Sequence, residues 1–178
     1  MPVRISNAKR LRPDSSLKPF DCGDADLNDF FLNDSLAHLK ELLAVTYVLE
    51  SRAKTIAFFS VLNDRISSED TDRKSLQKIR KTLPVKKRYR SFPAVKVGRL
   101  GDHKDYARTG IGTKILNAIK ASFTTNNKTG CRFITVDAYN NECTIKFYLN
   151  NGFIFLTGQD KDDATRLMYF DLKRFNLS

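Results

Sequence analysis

Apolar and polar positions alternate between helical and strand periods along the chain. Phe20-Asp21-Cys22-Gly23-Asp24 reads as a turn followed by a helix N-cap. From there to about residue 42, Leu27, Phe30, Phe31, Leu36, Leu39 and Leu42/Leu43 recur at mixed three- and four-residue steps. That spacing predicts helix broken once. Residues 44–50 and 55–62 are rich in β-branched and aromatic side chains, and the polar Ser51-Arg52-Ala53-Lys54 separates them. This predicts a hairpin. Ser67-Ser68-Glu69-Asp70 reads as the capped start of a short amphipathic helix that carries Leu76, Ile79 and Leu83 and stops before Pro84.

After Pro93, residues 94–100 read as a strand, and Gly110-Ile111-Gly112-Thr113 opens a helix bearing Ile115, Leu116, Ala118, Ile119 and Phe123. A strand over 131–137, a helix from Asn141 to about Asn150 stopped by Gly152, and strands at 153–156 and 166–170 complete the prediction. A hairpin followed by alternating β and α segments implies an α/β fold around a mixed sheet. No repeat or Gly/Ser/Pro-rich linker divides the 178 residues, so one domain over 1–178 is expected, with an insertion at about 64–92.

With 41% hydrophobic and 29% charged residues, composition excludes a disordered or fibrous chain. No apolar run reaches the length of a membrane span, and Met1-Pro2-Val3-Arg4-Ile5 lacks a signal-peptide core, so a cytoplasmic protein without membrane contact is expected. Cys22, Cys131 and Cys143 are odd in number and widely spaced. They suggest small buried hydrophobes rather than a disulfide framework or a zinc site.

Charge changes the picture more. The formal net charge is +11, and its placement is uneven: residues 63–99 carry twelve basic and four acidic side chains, whereas residues 1–62 carry eight of each. From Arg73 to Arg90 there are nine Lys or Arg and no acid. Such a stretch is either a solvated surface insertion or a phosphate-contacting patch, with Lys86, Lys87, Arg88 and Arg90 at its densest point.

A strand running into Arg108-Thr109-Gly110-Ile111-Gly112-Thr113 and then a helix places backbone N–H groups at a helix N-terminus, where glycine lets a phosphate approach the main chain. It is not the dinucleotide fingerprint, because the third glycine position holds Ile115, and no Walker Gly-Lys-Ser/Thr follows. Taken alone, the turn is either an anion site or a simple tight turn.

These blocks together, with Asn141 seven residues before Tyr148 inside Phe147-Tyr148-x-x-x-Gly152-Phe153, resemble the GNAT superfamily of N-acetyltransferases over about residues 20–172. Phe20-Asp21-Cys22-Gly23, Leu27-Asn28-x-Phe30-Phe31 and Gly98-Arg99-Leu100 look like its branch of tRNA-acetylating toxins. The resemblance implies a mostly antiparallel twisted sheet, splayed where the cofactor binds and flanked by helices. It implies acetyl-CoA as donor, with Leu100, Gly101 and Asp102 pairing with the pantetheine arm, Arg108 to Thr113 taking the diphosphate, and Asn141 holding the arm from the other side. No metal is called for.

In the implied reaction a neutral amine attacks the thioester, a backbone N–H at the end of the 95–100 strand stabilises the oxyanion, and Tyr148 protonates the leaving thiolate. One departure stands out: the position where the family usually has Gln or Arg, three residues before the first glycine, is Ala107, with Arg108 one step later.

The acceptor the branch implies is the amino group of an aminoacyl-tRNA, and the branch also implies an antitoxin partner. A protein amine or a small-molecule amine as acceptor, another anionic macromolecule as partner, and a non-catalytic module binding nucleic acid or acetyl-CoA are the alternatives. Either a monomer or a homodimer is compatible with one chain's sequence. His38 is expected to be structural and His103 a loop residue, and no general base is named.

Overall fold

The computed structural model describes residues 8–84, 89–125, 127 and 129–175. Seven strands form one sheet in the order β1-β2-β3-β4-β5-β7-β6. They are β1 (Lys9–Arg10), β2 (Val45–Glu50), β3 (Thr55–Ser67), β4 (Ser91–Asp102), β5 (Phe133–Tyr139), β6 (Ile154–Phe155) and β7 (Thr165–Asp171). The helices are α1 (Ala25–Asp29), α2 (Ser35–Lys40), α3 (Arg73–Lys81), α4 (Ile111–Thr124) and α5 (Glu142–Asn150). The β1/β2, β2/β3, β5/β7 and β6/β7 pairs are antiparallel and the β4/β5 pair is parallel. This is the mixed sheet that the sequence pattern predicts, mostly antiparallel and flanked by helices as the resemblance implies.

The chain divides into two compact units, Met1–Leu62 with Val97–Ile119 and Asn63–Lys96 with Lys120–Ser178; β3 and β4 each run through both. In the first unit, α1 and α2 are joined through a π-helical turn, Phe30–Asp34, which is the single break predicted for this region. Asp24 caps α1 by accepting from the Leu27 N–H at 3.0 Å. The extra residue of the π-turn lets Phe30 and Phe31 both turn inward. Phe31 stacks on Phe58 at 4.7 Å and meets Phe20 edge-on at 5.2 Å, within a core that also holds Leu11, Leu39 and Val48. Leu42 and Leu43 follow the helix and are exposed, with Leu42 at φ +59°, so they are not part of the apolar stripe that the spacing assigned them to.

In the second unit Ile66, Leu76, Ile79, Phe92, Phe133 and Leu156 form the core. The short helix predicted near 67–70 begins later. Asp70 instead accepts from the N–H and hydroxyl of Ser67, closing its own turn, and Asp72 caps α3 through the N–H groups of Lys74 and Ser75. Leu76 and Ile79 are the buried face of α3. The strand predicted to follow Pro93 starts at Ser91, with Pro93 inside it. The parallel ladder between β4 and β5 covers three residue pairs, Ala94/Phe133 to Lys96/Thr135, and both strands continue beyond it.

Candidate active site

In the first unit, β4 ends at Asp102 and a 3-10 turn, Lys104–Tyr106, leads into the glycine turn. This connection is tied down from several sides. The His103 N–H donates to the Ile56 carbonyl at 2.8 Å and the Lys104 N–H to the Asp21 carbonyl at 2.9 Å. Lys104 Nζ lies 2.7 Å from the Asp21 carboxylate, which also accepts from the Gly23 N–H and the Asn28 amide. The Lys104 bond, followed by those two, holds the Asp21 carboxyl far below the usual range, and Asp21 in turn raises Lys104. Lys54 pairs with Asp105 and lowers it in the same way. The Phe20-Asp21-Cys22-Gly23 motif is therefore an anchor for the segment that delivers the glycine turn.

The turn itself is exposed from Ala107 to Gly110. Arg108 (φ +61°) and Gly110 (φ +80°) are both left-handed, a conformation natural for glycine and strained for arginine. A Cβ on Gly110 would meet nothing within 4 Å, so the space over the turn is open. The Thr109 hydroxyl donates to the Tyr106 carbonyl at 2.6 Å, closing the approach to α4. The Lys114 N–H bonds back to the Gly110 carbonyl, which leaves Ile111 and Gly112 at the positive end of the helix.

Gly101 faces the opposite constraint: a Cβ there would come within 3.1 Å of Phe58 and 3.3 Å of Phe20. Leu100 and Asp102 are half-buried, and burial pushes the Asp102 carboxyl up. His103 is buried edge-on to Phe20 at 6.0 Å, and its Nδ1 accepts from the Asp105 N–H at 3.2 Å. It is a packed turn residue. His38, half-buried, meets the Phe30 ring edge-on at 5.2 Å.

In the second unit, Asn141 is the N-cap of α5: its Oδ1 accepts from the Thr144 N–H at 2.9 Å. The cap occupies the oxygen, and among the described residues the exposed amide nitrogen has no partner. Tyr148 is 8% exposed, with its ring 5.1 Å from Phe147 and 5.3 Å from Phe153. Burial, the sole cause at work, raises its phenol well above the ordinary value. The phenol therefore stays protonated throughout the neutral range.

Arg90 is exposed next to β4, while Lys86, Lys87 and Arg88 lie outside the described residues. Most of the neighbouring positive charge is on α3, where Lys74, Lys78 and Lys81 are exposed. Cys131 is buried as expected; Cys22 is half-buried and Cys143 is exposed on the first turn of α5, which corrects the reading of all three as core residues. A cavity of about 850 Å³ beside β1, lined by Lys9, Arg10, Arg12, Leu39 and Val48, contains none of the sequence-predicted site residues. Among the described residues no group of three metal-binding side chains occurs, and no helix is long and apolar enough to cross a membrane.

No family model matches the chain, and no curated protein matches it. Solved structures do. A complex of AtaTR with AcCoA superposes with a TM-score of 0.74 at 21% identity, covering 93% of each chain. The fold is that of AtaT. AtaT complexed with acetyl-methionyl-tRNAfMet aligns at 0.71 and 22% identity over 93% of this chain and 94% of that one. A tyrosine-to-phenylalanine mutant of KacT aligns at 0.69 and 23% identity over 86% of both. At these identities the likeness establishes architecture, and within that architecture Leu100 to Thr113 fall in one unit and Asn141 and Tyr148 in the other.

Lys120 and Asn151, both buried, were not singled out in the sequence. The available signal was positional: Lys120 follows Leu116 by four residues and so interrupts the apolar face of α4.

Proposed function

We propose that this chain is an acetyl-CoA-dependent N-acetyltransferase whose acceptor is the amino group of an aminoacyl-tRNA. The observation that carries the reading is the exposed turn at Arg108–Gly110, with open space over Gly110 and the start of α4 behind it. Such a turn suits the diphosphate of coenzyme A, because backbone N–H groups and the helix dipole both favour an anion there. Arg108 or Thr109 takes the place of the side chain missing at Ala107. Leu100, Gly101 and Asp102 pair their backbone with the pantetheine arm, and the free amide nitrogen of Asn141 is the donor left for it.

Acetyl-CoA supplies the activated acyl group: the neutral amine forms the new C–N bond as the C–S bond breaks, and the proton that the nitrogen sheds passes to water, through which the phenol is restored. Tyr148 holds the proton that the departing sulfur takes. A thiolate whose conjugate acid has a pKa of about 8.5 is a weaker base than a buried phenolate, so full transfer stays uphill, and the hydroxyl acts first as a hydrogen-bond donor that stabilises the sulfur as charge develops on it. A phenol that never ionises at working pH is always available for that step.

The tRNA acceptor is supported by the cationic stretch and by the AtaT fold, one of whose solved forms is complexed with acetyl-methionyl-tRNAfMet. Because another AtaT structure is bound to the C-terminus of the antitoxin AtaR, we extend the proposal to an antitoxin partner and a cytoplasmic site of action. Calorimetric titration with acetyl-CoA and thiol release with mixed aminoacyl-tRNA test the reading. Gly112→Asp should abolish acetyl-CoA binding by setting a carboxylate against the diphosphate. Unchanged affinity would remove the glycine turn from the site, and binding without thiol release from any aminoacyl-tRNA would refute the acceptor.

A further inference from the structure

Lys120 is 3% exposed, although lysine is almost never buried without a partner of opposite charge. Its surroundings supply carbonyl and aromatic groups instead. Nζ donates to the Asn151 carbonyl at 2.7 Å and lies 4.1 Å from the centre of the Phe170 ring, 5.6 Å from Phe153 and 5.8 Å from Phe175. A desolvated ammonium among ring faces gains cation–π attraction that partly offsets its lost hydration.

These contacts converge on the end of α5. Asn151 is its C-cap: the backbone N–H returns to the carbonyls of Phe147 and Tyr148, and the side-chain amide donates to Phe147 O at 2.8 Å. Gly152, at φ +80°, turns the chain, and the Phe153 N–H donates to the Tyr148 carbonyl at 3.1 Å. Lys120 thus sets a positive charge at the negative end of the α5 dipole. The Phe153 ring it faces is also the ring that packs on Tyr148 at 5.3 Å.

We propose that Lys120 is a positioning residue for Tyr148: in its charged form it clamps the Asn151 carbonyl and the Phe153 ring, and loss of its proton releases that clamp. The proposal rests on Tyr148 acting as the proton donor. Other charged groups on the packed elements are otherwise engaged or face solvent. Asp171 of β7 is held by Arg132 at 2.8 and 2.9 Å, while Lys173 and Arg174 after β7, Glu142 and Lys146 of α5 and Lys114 of α4 are exposed. Tyr148 and Tyr169 are the nearby phenols, and burial raises both. Burial lowers Lys120 to about 8, which brings its titration within reach of a pH profile.

The test compares wild type, Lys120→Arg, Lys120→Met and Tyr148→Phe from about pH 6.5 to 9.5. It reads kcat and the KM for acetyl-CoA with mixed aminoacyl-tRNA, together with backbone hydrogen exchange over residues 148–153 by mass spectrometry. In wild type kcat should fall above about pH 8, a limb absent from the permanently charged Lys120→Arg. Below about pH 8, Lys120→Met should lose about tenfold in kcat relative to wild type with KM within about twofold, and its exchange over 148–153 should be about tenfold quicker; the two should converge as the pH rises towards 9.5. An alkaline limb that persists in Lys120→Arg, or exchange and kcat in Lys120→Met equal to wild type below about pH 8, overturns the proposal. If Lys120→Met does not fold, the comparison of wild type with Lys120→Arg still decides. The exchange measurement needs no turnover, so a Tyr148→Phe enzyme of full activity would sink the proton-donor reading while the clamp is judged separately.

Discussion

Two cationic regions of the second unit put their charges to opposite use. On α3, Lys74, Lys78 and Lys81 stand in solvent over a thin buried face of Leu76 and Ile79. On α4, Lys120 is a single charge enclosed by aromatic rings and one carbonyl. Charges on the surface are screened and individually cheap, so an array of them acts only collectively, on a large anion. A charge in the interior is neither screened nor replaceable, and it acts on its own neighbours. Net charge counts both kinds alike, although they serve different links between structure and function.

Buried groups should therefore give the largest responses. Tyr148→Phe, which removes one enclosed hydroxyl, should lower kcat by about 10²-fold while leaving acetyl-CoA affinity unchanged, as read by thiol release and calorimetry. A smaller loss would mean that the enclosed phenol is packing alone. Charge reversal at Lys74, Lys78 and Lys81 together should raise the apparent KM for tRNA several-fold. It should also flatten the slope of log affinity against log salt by about three, with acetyl-CoA affinity unmoved. If both are unaffected, the α3 array is solvation and the contrast collapses to one side.

A subtler effect concerns stability. Folding lowers Lys120 from an unfolded value near 10.5 to about 8, so the unfolded chain binds more protons between those limits. The cost of burying the charge is fully present below about pH 8 and disappears as the pH rises towards 10.5. Wild type should accordingly gain melting temperature relative to Lys120→Met over that interval, the reverse of the expected trend in kcat. The smallest response should come from Asn141→Ala, at about 1 kcal/mol of stability for the lost α5 cap, with Asn141→Ser close to wild type.

Much of the fold was legible because its elements are strongly patterned. The β2–β3 hairpin, the glycine-opened α4 and α5 with its Asn141 cap all lie where period and punctuation put them. Errors arose where side chains satisfied the backbone locally. Ser67 and Asp70 look like a helix cap but close their own turn, which hands the cap to Asp72. Leu42 and Leu43 continue an apolar spacing after the helix has ended.

At the site, the glycine turn and Tyr148 could be named from spacing and family resemblance, but the surroundings that matter could not. Lys120 counts as polar in any pattern, and its enclosure depends on Phe153, Phe170 and Phe175, which are 33 or more positions away in the chain. The anchoring of Lys104 by Asp21 is similarly non-local.

The π-turn at Phe30–Asp34 also constrains how this sequence can change. A residue inserted into a regular helix would rotate everything after it by roughly 100°, whereas a π-turn takes it up within one wider turn, and here that turn lets two adjacent aromatic side chains share one interior. Losing a single codon at exposed Leu32 would close the wide turn with Leu36 and Leu39 still facing the core, and would leave Phe30 and Phe31 competing for one inward place.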